Sequence, residues 1–249
     1  MSGPILLVDV GNSRIKWALV QPPQEWLAEG ACAHDETARL LDEWGRFPQP
    51  ASVVACNVAG DDLQQPLSAY WQSRKVPLHW VQASDRSHAG VSNLYERPQQ
   101  LGSDRWAALI GAWQRARSAC LVVSAGTAVT IDSLNERGEF VGGMILPGRL
   151  LMQQSLARGT HALKDFAGNP VEFPRNSADA VSSGIATALA CTVQAAYQRL
   201  TAAGATPPTC IVTGGDAEWL SGQLQFGAII APRLILEGLL IMAQENAGK

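Results

Sequence analysis

The sequence predicts an α/β protein built by duplication, with two halves of β-β-β-α-β-α-β type spanning residues 1–117 and 118–249 around a central cleft. Three observations predict it. A twelve-residue phrase, Leu6 to Trp17, returns 115 residues later as Leu121 to Asp132. Each copy is an apolar strand, a tight turn through glycine and a second, alternating strand, and each is followed by the same run of strand and helix patterns. With 249 residues, 47% of them hydrophobic, the chain is large enough for two cores of about 120 residues each, and no low-complexity segment or long linker interrupts it. Only three of the twelve paired positions are identical, so the repeat takes its meaning from what surrounds it.

Residues 4–9 are an apolar run that ends in Asp9, a buried strand. Residues 14–20 and 26–33 continue as a meander, parted by Gln21-Pro22-Pro23-Gln24. Leu40, Leu41 and Trp44 give 35–46 a helical period, and Leu63, Leu67 and Tyr70 do the same for 61–74. Ser52 to Cys56 and Leu78 to Val81 are short buried strands, and 83–102 is a polar, glycine-bearing loop. Trp106, Leu109, Ile110 and Trp113 mark a helix over 103–117. The order then restarts with strands at 119–124 and 127–134, a turn at Asn135-Glu136-Arg137-Gly138 and a strand from Glu139. Helices follow from near Gly148 and over 176–203, then a strand at 209–213 and a helix at 216–223. Ile229-Ile230 leads past Pro232 into a last helix that ends near Asn246.

The net charge of -3, with both signs interspersed, argues against nucleic acid as a partner. No apolar run approaches the roughly 18 residues of a membrane span, and the N-terminus lacks the pattern of an export signal. Cys32, Cys56, Cys120, Cys191 and Cys210 form no C-x-x-C pair and mostly stand beside aliphatic residues, as reduced structural cysteines of a cytoplasmic protein do. His34, His79, His88 and His161 have no metal-ligand spacing.

Two carboxylates carry the chemistry. Asp9 ends a strand that is otherwise apolar, and a buried carboxylate is costly unless paired or bound to a cation. Beside a glycine turn it suits Mg²⁺, held directly or through water, with Gly11, Asn12 and Ser13 wrapping phosphates and Arg14 and Lys16 sharing a strand face. Asp104 stands in the first turn of a helix, next to the planar fork of Arg105, in Tyr95-x-x-Pro98-x-x-Leu101-Gly102-Ser103-Asp104-Arg105. Simple hairpin capping and helix capping are the plainer readings of each aspartate taken alone. No P-loop, G-x-G-x-x-G or G-x-S-x-G occurs. Val212-Thr213-Gly214-Gly215-Asp216 lies between a strand and a helix, where it is either a plain connection or, in a duplicated kinase fold, the seat of a nucleotide's adenosine part.

With these motifs assembled, the chain resembles the type III pantothenate kinases, members of the acetate and sugar kinase/Hsp70/actin superfamily, in order along nearly its whole length. Asp9-x-Gly11-Asn12-Ser13-Arg14-Ile15-Lys16-Trp17 resembles the family's first phosphate motif, Gly102-Ser103-Asp104-Arg105 its Gly-x-Asp-Arg motif and Gly126-Thr127-Ala128-Val129-Thr130 its second phosphate motif. Gly142-Gly143-x-Ile145-x-Pro147-Gly148 is similar to a further signature, and Asn176-Ser177 stands where the family usually has Asn-Thr.

The resemblance implies the duplicated ribonuclease H-like, or actin-like ATPase, fold and the ATP-dependent phosphorylation of pantothenate in coenzyme A biosynthesis. It implies ATP on Asp9, Val10, Gly11, Asn12, Ser13, Arg14, Ile15, Lys16, Gly126 and Thr127, with Mg²⁺ on Asp9. Pantothenate falls to Tyr95, Gly102, Ser103, Asp104, Arg105 and Ser177, with Asp104 as general base. It also implies a homodimer, for which the helical faces around Trp106 and Trp113 and the stretch 144–156 are candidates. Many relatives carry an Asp that binds K⁺ or NH₄⁺ where this chain has Ser124, so dependence on a monovalent cation is expected to be weak or absent. A non-catalytic accessory or regulatory protein of the same fold is the competing reading, opposed by the retention of Asp9, Asp104, Arg105 and Thr127. An actin-like or chaperone-like ATPase would need large inserted subdomains.

Overall fold

A computed structural model describes residues 3–83, 87–160, 167–204 and 206–247. His161 lies outside the described residues. The chain divides into two units, Met1–Arg115 with Arg233–Lys249, and Ala116–Pro232.

In the first unit the strands β1 (Ile5–Val10), β2 (Arg14–Gln21), β3 (Glu25–Ala33), β4 (Ser52–Asn57) and β5 (Leu78–Trp80) form one sheet in the order β3-β2-β1-β4-β5. The first three pair antiparallel, and β4 and β5 add in parallel through the crossover helices α1 (Thr37–Trp44) and α2 (Asp61–Ser73). Alternate residues Leu6, Val8 and Val10 pack with Ile15, Trp17, Leu40, Trp44, Leu67 and Trp71 in a core on one face. Trp17 meets Trp44 edge-on with ring centres 6.1 Å apart. The segment expected to be all loop contains two short strands, β6 (Ser87–His88) and β7 (Val91–Asn93), and a 3₁₀ turn at Pro98–Gln100. Helix α3 (Ser103–Ala116) follows, with Trp106 fully buried and Trp113 nearly so. Those two tryptophans are core residues, which removes them from any subunit interface.

The second unit holds β8 (Cys120–Ala125), β9 (Ala128–Leu134), β10 (Glu139–Pro147), β11 (Thr209–Thr213) and β12 (Ile229–Ile230), with neighbours in the order β12-β11-β8-β9-β10. Numbered within its unit, this is the order of the first sheet, and β8 spans the residues 115 places beyond β1. The duplication is therefore one of topology as well as sequence. Two helices, α4 (Arg149–Gly159) and α5 (Ser177–Ala203), stand where the first unit has only α1, and α6 (Ala217–Ser221) stands where it has α2. α5 is long and apolar enough to cross a membrane by length and composition, a property the search for apolar runs passed over because much of its apolarity is alanine. Its Val181, Ile185, Leu189, Val193 and Leu200 pack on Leu121, Val123 and Ile131, as a core helix does.

The last helix, α7 (Leu234–Ala247), departs from the expected boundary at 117/118: it groups with the first unit. The reason is backbone packing. A side chain on Gly238 would run into the Ala107 carbonyl of α3, and a Cβ on Gly111 would lie 2.5 Å from the Leu234 carbonyl oxygen. Glycine at both places lets the two helices touch main chain to main chain. A two-pronged ion pair, Arg115 Nε and Nη2 to the two Glu237 carboxylate oxygens at 2.6 Å each, adds to the junction.

Candidate active site

Strand alternation decides what β1 and β4 present. Leu6, Val8 and Val10, with Val53 and Ala55, enter the tryptophan core, so Asp9 and Cys56 share the other face. They stand side by side in the parallel register, with Lys16 of β2 opposite Asp9 on its other flank. Asp9 is only 5% exposed. Its carboxylate accepts a hydrogen bond from the Cys56 thiol, Sγ to Oδ1 3.4 Å. Burial, reinforced by the charge of Asp104, lifts the Asp9 pKa to about 6 against the opposing pull of Lys16 and the thiol. The same burial, with Asp9 and Asp104 nearby, drives the Cys56 pKa well up, so the sulfur stays a protonated donor.

The β1–β2 turn is closed by the Gly11 N–H donating to the Arg14 carbonyl at 3.1 Å. His34 Nε2 lies 2.8 Å from the Gly11 carbonyl oxygen and so donates to it. Asn12, Ser13 and Arg14 are exposed at the tip and Lys16 is half-buried. Val10 and Ile15 point into the core, which leaves only their main chain to offer a phosphate.

The second carboxylate sits at the start of α3. Asp104 Oδ1 accepts the Arg105 N–H at 2.8 Å, and burial raises its pKa against that bond and the Arg105 charge. A Cβ on Gly102 would fall 2.6 Å from Asp104 Oδ1, so the Gly-x-Asp spacing is steric. The Ser103 hydroxyl lies 3.3 Å from both the N and the O of Asn57 and ties α3 to the end of β4, a use of that side chain other than ligand contact. Arg105 is 6% exposed, and its Nη2 donates to the Tyr95 hydroxyl at 3.2 Å. Tyr95 is fixed by a residue the sequence reading missed. Asn93 accepts the Tyr95 N–H at 3.0 Å and donates to the Pro98 carbonyl at 3.1 Å. An Asn that closes its own turn two residues on is the signal that would have found it.

The other site candidates belong to the second unit. Gly126 and Thr127 form the exposed β8–β9 turn, closed by Gly126 N–H to Ala128 O at 3.1 Å and anchored by Gly148 N–H to Thr127 O at 2.8 Å. Ser124 has Thr130 and Thr213 as its register neighbours, where Asp9 has Lys16 and Cys56. Among the described residues the buried Thr130 hydroxyl has no hydrogen-bond partner. Asp132 is buried further along β9. Ser177 is the exposed first residue of α5, capped by Asn176, which accepts the Asp179 N–H at 2.8 Å. With Met152, Leu156, Val181 and Ile185 it lines a cavity of about 570 Å³. Asp216, after the Gly214-Gly215 turn, pairs with Arg149 at 3.0 Å.

The structure thus gathers Asp9, Lys16, Asp104, Arg105 and Tyr95 in one unit and places Gly126, Thr127 and Ser177 in the other. Among the described residues no group of three or more His, Cys, Asp or Glu side chains is placed to cage a metal. Asp9 alone fits a divalent cation that brings phosphate oxygens and water as its remaining ligands, the usual manner of Mg²⁺.

Comparison with known proteins shows the family and the fold. The family model for type III pantothenate kinase matches residues 5–199. A type III pantothenate kinase of Azoarcus sp. strain BH72 is 44% identical over 244 residues, covering 98% of this chain and 92% of that one. Among solved structures, a Baf family transcriptional activator from Campylobacter jejuni superposes with a TM-score of 0.68 at 22% identity, covering 98% of this chain and 100% of that one. An activator of 2-hydroxyisocaproyl-CoA dehydratase from Clostridium difficile, with bound ADPNP, gives 0.59 at 10% identity, covering 98% and 96%. These structural likenesses show the shared actin-like fold.

Proposed function

From the premise that this chain belongs to the type III pantothenate kinase family and is a pantothenate kinase, we propose that it moves the γ-phosphoryl group of ATP to the primary hydroxyl of pantothenate. The product is 4'-phosphopantothenate, at the entry to coenzyme A biosynthesis. The observation that carries this reading is the pairing, in one unit, of a buried strand-end carboxylate with a helix-start carboxylate close enough to raise its pKa. One serves the phosphates and the other the acceptor.

Asp104 is the general base. Its raised pKa gives it proton affinity above that of an ordinary surface aspartate, which suits it to take the hydroxyl proton as the oxygen attacks. Arg105, buried and oriented by Tyr95, anchors the pantothenate carboxylate. The β1–β2 turn, with Asn12 and Ser13 exposed at its tip, and Lys16 line the phosphates, and Gly126 and Thr127 are further phosphate contacts. Ser177, beside an apolar cavity, contacts pantothenate. Mg²⁺ arriving with ATP neutralises phosphate charge and would be held by Asp9, directly or through water. Phosphoryl transfer needs positioning and charge neutralisation rather than covalent catalysis, and these residues supply both.

Three further properties belong to the same proposal. The monovalent-cation requirement is weak or absent, because Ser124, Thr130 and Thr213 offer hydroxyls and no charge. The enzyme is a homodimer whose interface includes Val141, Ile145, Leu150 and Leu151, large apolar side chains left exposed on β10 and α4. It works in the cytoplasm, in keeping with five free thiols. The test is turnover: purified protein with ATP and Mg²⁺ is expected to release ADP only when pantothenate is added. ADP release indifferent to pantothenate would overturn the reading.

A further inference from the structure

We propose that Cys56 is a positioning residue for this reaction, its thiol fixing the Asp9 carboxylate through Oδ1 and leaving Oδ2 as the oxygen available to the metal-bound nucleotide. The inference rests on the assignment of Asp9 to the nucleotide's metal.

The geometry is specific. Cys56 is completely buried at the end of β4, beside Asp9 in the parallel register, with Sγ 3.4 Å from Oδ1. Among the described residues the thiol is the one hydrogen-bond donor to that carboxylate, and Lys16 acts on it through charge. A carboxylate turns easily about its terminal torsion. With a single donor, that donor sets its plane. A thiol is a weak donor, so it orients the group while leaving most of its charge for a cation. An arginine in the same place would hold the carboxylate at least as well but neutralise it. The second unit provides an internal contrast. At the corresponding positions Thr213 lies beside Ser124, so the thiol accompanies the carboxylate in one unit and both are replaced by hydroxyls in the other.

The experiment compares Cys56→Ala, Cys56→Ser and Asp9→Asn with the parent protein. The first readout is Mn²⁺ binding in the presence of ADP, followed by the electron paramagnetic resonance of free Mn²⁺. The others are kcat, the KM for pantothenate and the thermal midpoint. Outer contacts to metal ligands are worth about 10–100-fold in affinity. Cys56→Ala is therefore expected to weaken Mn²⁺·ADP binding roughly tenfold and to lower kcat, with the pantothenate KM within about twofold of the parent. Cys56→Ser keeps a donor and is expected to restore most of the affinity. Should Cys56→Ala fail to fold, Cys56→Val fills the space without a donor and takes its place. Parent-like Mn²⁺·ADP binding in the donor-less variant overturns the proposal if Asp9→Asn has lost that binding. A serine variant as impaired as the alanine, at unchanged thermal midpoint, overturns it too, since sulfur packing and not donation would then be at work. Parent-like binding in Asp9→Asn overturns the assignment of Asp9 itself, and the Cys56 proposal falls with it.

Discussion

At the residue scale, the two aspartates obey opposite demands. Asp104→Asn keeps the shape of the helix start and removes the base, so kcat is expected to fall roughly 100-fold or more with the fold intact. Near-normal turnover would take Asp104 out of the mechanism. Asp9 carries a cost that burial imposes. Its folded pKa of about 6 lies above the ordinary 3.8, so the folded state holds this proton more tightly than the unfolded chain. The resulting stabilisation is complete below about pH 4 and is lost as pH rises towards 6. Above that, the buried charge costs up to about 3 kcal/mol. Asp9→Asn is therefore expected to raise the stability of the ligand-free protein by about 1–3 kcal/mol at pH 7.5 and to leave it nearly unchanged at pH 4. Thermal midpoints of the two proteins across that range are the check, and equal midpoints at pH 7.5 would refute it. Both aspartates were legible in the sequence because their motifs are contiguous. Cys56 and Asn93 were not. Cys56 matters through a register across two strands 47 residues apart, and Asn93 through a turn inside a segment that read as plain loop.

At the scale of elements, the repeat predicted more than its three identities promised. β1 and β8 are equivalent strands, which puts Ser124 in the place of Asp9. A neutral hydroxyl offsets little of the cost of stripping water from a cation. Turnover with Mg²⁺ is expected to change little when K⁺ is added to Na⁺ buffer. A tenfold rise would show a cation site that survives without a carboxylate at 124. The α3–α7 contact was invisible beforehand, because a helix that packs on the first unit has the same apolar period as one that packs on the second. Its only trace is glycine inside two helices. Gly238→Ala forces the Ala107 carbonyl away and is expected to cost about 3 kcal/mol, an overpacking effect. A variant that unfolds like the parent would mean that α7 docks more loosely than described.

At the scale of the whole molecule, β10 and α4 leave the large apolar residues Val141, Ile145, Leu150 and Leu151 exposed. Ile145 is 64% exposed, so Ile145→Glu asks nothing of the protomer's own core. It is expected to convert a dimer to monomers without lowering the thermal midpoint of the protomer by more than a few degrees, as read by light scattering on a sizing column. A dimer that persists would move the interface elsewhere. The sequence conveyed the class of fold and the duplication, since these follow from local pattern. The partition of the chain did not, because it depends on where one helix docks. That docking has a consequence in time. The first unit is written in two pieces, and the second of them leaves the ribosome only after all of 116–232. Until then α3, which carries Asp104 and Arg105, lacks the helix that packs along its glycine face. The growing chain can thus assemble the inserted unit before the one that holds the proposed general base. The helix that completes the first unit arrives last in synthesis, although Asp9, Asp104 and Arg105 are translated long before it.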